Sequence, residues 1–196
     1  MIRVIALIFA PFRTWTKIAE AQRGVLFVLC LSFLPLMLGC VAAETYSLIH
    51  WGEPRGASEN LVRISQTIAV RYAIAQVLLL TTCVFFSAYV LHAVAESFHI
   101  TTRFYQSFAA VVYGISPLVL MRLLDAWPAI PSWGCWAFGV LLSISALYNG
   151  VALMLRPEQT KGLGLYLVTA IIIVLSTGVS HFVAQAVLHE KIFRNL

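Results

Sequence analysis

The feature that most constrains this chain is the recurrence of long stretches without a charged side chain: Val25–Ala43, Tyr72–Ala95, Phe104–Met121, Ala126–Leu155 and Gly162–Leu188. Each reaches the roughly 17 apolar residues that a helix needs to cross the hydrocarbon layer. Backbone polar groups inside lipid must satisfy one another, so only helices or a closed barrel span a bilayer. These runs are continuous rather than alternating, which selects helices. Composition agrees: 61% of the 196 residues are hydrophobic and 11% charged, too apolar for a water-soluble domain of this size. The sequence therefore predicts an all-α membrane protein with one domain over residues 25–190. Its five transmembrane helices fall at about 25–43, 68–97, 104–124, 133–155 and 164–188, and a short polar tail, 191–196, follows.

Residues 1–24 are read as an interfacial amphipathic segment. After Pro11, Arg13, Lys17 and Glu20 share one helical face, while Phe12, Trp15 and Ala19 share another. Such a helix lies on the membrane surface, with Trp15 expected at headgroup level. The apolar stretch Val4–Ala10 is short and lacks a cleavage signal, so it is not read as a secretory leader. Pro35 is expected to kink span one. Glu44–Thr67 reads as the longest loop, with Ser58 a candidate cap for span two, and Pro128 and Pro131 mark the turn before span four.

Lysines and arginines fall almost evenly on the two sides. Seven (Arg3, Arg13, Lys17, Arg23, Arg103, Arg156, Lys161) share the side of the N-terminus and six (Arg55, Arg63, Arg71, Arg122, Lys191, Arg194) the other. The first span usually dominates orientation, and its leading flank is the more basic. The N-terminus is therefore expected in the cytoplasm and the C-terminus outside, in a bacterial inner membrane.

Ionisable residues at span ends are the natural candidates for a site. Arg71, Arg122 and Asp125 fall at the outer ends of spans two and three, with the latter two on one helical face. They suit an anion or headgroup site; the alternative is snorkelling arginines with one ion pair fixing the hairpin. At the inner end, His92, Glu96 and His99 have spacings that put three possible metal ligands on one face. The simpler expectation is that Glu96 pairs with Arg103 and the histidines face the interface, with no metal bound. Cys30, Cys40, Cys83 and Cys135 show no metal or redox spacing, and neither a nucleophile motif nor a nucleotide-binding loop occurs. The chain is thus not expected to be an enzyme, to bind nucleic acid or to carry a cofactor. In span four, Gly139, Ser143, Ala146 and Gly150 form a stripe of small residues suited to close helix packing, either within the bundle or against a partner.

One charged knot interrupts the apolar sequence, "LYNGVALMLRPEQTKGLGLYLVT" from Leu147 to Thr169. By residue type it is a turn: Pro157 stops span four, Arg156 and Lys161 pin the loop in the cytoplasm, and Glu158 stands three residues from Lys161. The segment resembles the junction of the last two spans in the Yip (Ypt/Rab-interacting) family of five-span membrane proteins, in its bacterial branch. The matching positions are Leu147, Tyr148, Gly150, Pro157, Glu158, Lys161 and Gly164. "PFRTWTKIAE" resembles the family's N-terminal element, and "YGISP", from Tyr113 to Pro117, its third span. The resemblance implies a non-enzymatic scaffold or accessory subunit that organises lipid or other membrane proteins, with membrane lipids and either other membrane proteins or further copies of itself as partners. The acidic N-terminal extension of the eukaryotic members has no counterpart here, so a Rab-like GTPase is not expected. The alternative is a small permease or lipid/ion transporter using the proline-broken spans (Pro35, Pro117) and the Arg71, Arg122, Asp125 group.

Overall fold

The computed structural model of the protein describes residues 7, 11–55, 60–127 and 130–189. Ser58, Pro128 and the 191–196 tail lie outside these residues. A short helix α1 (Pro11–Ala21) leads into α2 (Val25–His50), followed by a small antiparallel hairpin, β1 (Glu53–Arg55) and β2 (Asn60–Val62), with Glu53 opposite Val62. Four long helices follow: α3 (Gln66–Ser97), α4 (Phe104–Asp125), α5 (Ser132–Leu155) and α6 (Gln159–Leu188). Helices α2 to α6 carry five segments long and apolar enough to cross a membrane.

Helix α4 is the central post. Every residue from Ser107 to Val119 is buried, beneath α2, α3 and α5, and α6 closes the bundle against α3 and α5. The outward faces carry large apolar side chains such as Leu78, Phe86, Leu141, Leu175 and Phe182, the surface expected of helices whose solvent is lipid. At 1.5 Å per residue the 32-residue α3 measures roughly 48 Å. It therefore runs through a hydrocarbon core of about 30 Å into the headgroup layer.

Prolines act locally. Ahead of Pro35, α2 winds as a π-helical turn over Leu29–Phe33, absorbing the hydrogen bond that proline cannot donate. Pro117 lies buried inside α4, where the hydroxyl of Ser116 donates to the carbonyl of Val112, and Ser143 of α5 accepts from the amide of Leu118 at 3.2 Å.

Three expectations are corrected. Span one does not end at Ala43: the helix continues to His50 and buries Glu44, Ser47 and Leu48, so Glu44 belongs to the bundle rather than a loop. The cap of α3 is Ser65, whose Oγ accepts from the amide of Ile68 at 3.4 Å. Trp15 is fully buried instead of lying at headgroup level. Its indole N–H donates to the carbonyl of Ala146 at 2.9 Å, its ring meets Tyr113 edge-on, and it fills the notch left by Gly150 in α5. Helix α1 is thus fastened to the bundle by its apolar face while Phe12, Arg13 and Lys17 face outward.

Candidate functional site

The two ends of the bundle differ, and the polar chemistry concentrates at the end away from α1. There each of the five spans contributes: Glu44 and Ser47 from α2, Tyr72 and Gln76 from α3, Arg122 and Asp125 from α4, Ser132 from α5, and His181 and Gln185 from α6. Within each helix that gives two, the pair is spaced three or four residues apart, which puts both side chains on the inward face. Glu44 lies roughly 29 Å along α2 from Val25, at the far boundary of the hydrocarbon layer.

Among the described residues, Glu44 and Arg122 are the buried charges, 4% and 7% exposed. Glu44 Oε1 accepts from the Tyr72 hydroxyl, and Gln76 Nε2 reaches both carboxylate oxygens at 3.0 Å. Arg122 feels the charges of Glu44 and Asp125, and its Nη2 stands 3.3 Å from His181 Nδ1. The Ser132 hydroxyl donates to Asp125 Oδ2 at 2.8 Å, receives the Gln185 amide at 3.0 Å and lies 3.4 Å from His181 Nε2. Ser47 donates to the carbonyl of Ala126, tying α2 to the α4–α5 turn. A buried carboxylate and guanidinium are costly in lipid unless each is compensated, and here the compensation comes from their opposite charges, from Asp125, and from side chains of α3 and α6. The network therefore fixes helix register.

Beside the network a cavity of about 400 Å³ opens toward the far surface, lined by Glu44, Tyr72, Asp125, Trp127, Trp133 and Phe182 among others. Of the predicted trio, Arg122 and Asp125 come together here. Arg71 does not: it is exposed, one helical step from the inward-facing Tyr72. The trio thus understates the site. Glu44 was obscured because a lone acid at the end of an apolar run reads as a boundary. His181 and Gln185 carried the better signal, two polar residues spaced four apart inside an otherwise uncharged span.

At the near end, His92 Nε2 lies 3.5 Å from Glu96 Oε1, and this pair replaces the expected Glu96–Arg103 contact. His99 falls beyond the end of α3 in a left-handed conformation (φ 57°), so it does not share their helical face. Among the described residues no three His, Cys, Asp or Glu side chains group as metal ligands. The turns α3–α4 and α5–α6 together line a cleft of about 290 Å³, with His99, Thr101, Gln106, Arg156, Glu158 and Lys161 on its walls. Arg156 also adopts a left-handed conformation (φ 47°) as it ends α5, Pro157 follows, and Lys161 Nζ lies 3.0 Å from Glu158 Oε2. Of the other conspicuous positions, Tyr113 is buried with its hydroxyl 3.0 Å from Ser32 Oγ, whereas Tyr148 is exposed and meets Tyr166 edge-on.

The small-residue stripe faces inward. A Cβ on Gly139 would lie 2.9 Å from Leu118 Cα, Ser143 is buried against Leu118, Ala146 receives the Trp15 indole, and Gly150 accommodates its ring.

The bundle defines the class: a five-span α-helical membrane protein with its polar residues gathered at the two ends of a packed core. A sequence profile described as the Yip1 domain matches residues 5–180, and the chain belongs to the Yip1 domain family. No curated protein and no solved structure matches the chain.

Proposed function

We propose that this chain is a non-enzymatic scaffold or accessory subunit of a bacterial inner membrane, organising other membrane proteins through its near, cytoplasmic end. The observation that carries this reading is the paired turn at that end. His99 and Arg156, two non-glycine residues held in the left-handed region, line the same cleft as Glu158 and Lys161. A left-handed non-glycine residue costs about 1–2 kcal/mol, and such strain concentrates where a surface is shaped for recognition. Family membership supports the membrane role.

A permease is the second reading, favoured by the far cavity with its charged wall. Against it stands the unbroken burial of α4 from Ser107 to Val119, which leaves a packed core between the far cavity and the near cleft.

The decisive experiment is purification in mild detergent, with intact-complex mass, of wild type beside an Arg156→Gly, Lys161→Glu variant. A stoichiometric membrane-protein partner bound by wild type and lost by the variant supports the scaffold. A lone chain or a homo-oligomer in both cases refutes it. Cysteine labelling from either side of intact cells, at Glu158 and at Ser132, tests the orientation: Glu158 is expected to be protected from external reagent and Ser132 to react.

A further inference from the structure

The far cavity has a chemical bias that neither the family nor the scaffold reading assigns. The carboxylates of Glu44 and Asp125 line it together with the imidazole of His189, and among the described residues no lysine or arginine does. Arg122 sits behind the wall, in contact with His181 and not with the cavity. Two indoles, Trp127 and Trp133, stand at its mouth, 61% and 48% exposed. Phe182, on the lipid-facing surface of α6, forms part of the same rim, so the opening communicates with the acyl-chain region as well as with water. A volume of about 400 Å³ falls within the roughly 300–1,000 Å³ of small-ligand sites.

We propose that this cavity binds a primary ammonium group, presented by the headgroup of a membrane lipid whose chains lie against α6. Carboxylates compensate the cation's charge and accept its N–H groups, while tryptophan faces attract it through the ring quadrupole. A primary ammonium is specified over a quaternary one because carboxylate oxygens reward N–H donors, which a quaternary nitrogen lacks. An anionic headgroup meets two carboxylates and, among the described residues, no lining lysine or arginine, and is disfavoured. Glu44 is placed for the inner contact: Tyr72 and Gln76 hold both of its oxygens in position, so the carboxylate is oriented before a ligand arrives. The proposal is independent of whether the near end recruits a partner.

The test is native mass spectrometry of the detergent-solubilised full chain with phosphatidylethanolamine, phosphatidylcholine and phosphatidylglycerol of identical acyl chains. Ethanolamine-lipid retention is expected to exceed that of the glycerol lipid about tenfold, with the choline lipid between. Asp125→Asn keeps an oxygen to accept from Ser132 but removes a charge, and should reduce ethanolamine-lipid retention about tenfold. Trp127→Phe, a milder change at an exposed position, should reduce it about threefold. Free ethanolamine that displaces the lipid at millimolar concentration assigns the site to a soluble amine, with the ammonium chemistry intact. Failure of free ethanolamine to compete assigns it to the lipid. Equal retention of the three lipids, preference for the glycerol lipid, or unchanged retention in both variants overturns the proposal.

Discussion

Replacing Gly150 by alanine adds one methyl group, and its consequence depends on a residue 131 positions away from the carbonyl it shares a turn with. A Cβ built at Gly150 would lie 2.5 Å from Trp15 Cζ2 and 2.8 Å from Cε2 and Cη2, inside the contact distance of a rigid ring that has no flexible end to yield. The indole must shift, and its bond to Ala146 breaks with it. Overpacking costs about 1–3 kcal/mol and a buried donor left unpaired about 1–3 kcal/mol. Against these, alanine gains up to about 1 kcal/mol over glycine in a helix interior. The expected net loss is roughly 1–6 kcal/mol. In a Trp15→Ala background the clash is absent, so the same substitution should be neutral or stabilising by up to about 1 kcal/mol. Equilibrium unfolding in mixed micelles, run as a double-mutant cycle, reads the difference directly. Equal effects in both backgrounds, or stabilisation of wild type by Gly150→Ala, would refute the docking of α1 in that notch.

Glu44→Gln or Arg122→Met alone should destabilise the bundle by about 3–5 kcal/mol, because each leaves a buried charge uncompensated, while the double substitution should recover much of the loss; unfolding midpoints of the four species test this. Gly139→Leu should reduce folded yield rather than shift oligomeric state, since its Cβ meets the backbone of Leu118 in the same chain, and size-exclusion profiles distinguish the two. Gly39→Ala should be neutral or slightly stabilising, because nothing lies within 4 Å of its Cβ, as the same unfolding assay would report. Arg156→Gly should raise thermal stability by about 1–2 kcal/mol by relieving left-handed strain, even where it weakens a partner contact.

How much of this was legible depends on whether a signal is local. The five spans are local, since run length alone specifies them. The small stripe of Gly139, Ser143, Ala146 and Gly150 is likewise readable as a packing face, but which surface fills it is not, because the notch at Gly150 is completed by a tryptophan at the other end of the chain. For the same reason Trp15 reads as a headgroup anchor: an amphipathic helix bearing an indole looks identical whether its apolar face meets lipid or protein. Glu44 is the instructive miss. Charge counting places the end of span one at Ala43, whereas Tyr72, Gln76 and Arg122, drawn from two other spans, let the helix carry its carboxylate inward. Arg71 errs in the opposite sense, since helical phase, set by Tyr72 facing inward, turns it out.

The Trp15 contact also has a consequence for the order in which the chain is made. The indole is synthesised ahead of the five spans described above, yet its receptor in α5 is complete only once the fourth of them has left the ribosome. Until then the first helix must wait beside the membrane with a large apolar side chain uncovered. The N-terminal helix is thus a latch that closes late, and its protection from protease during synthesis would report that the bundle behind it has assembled.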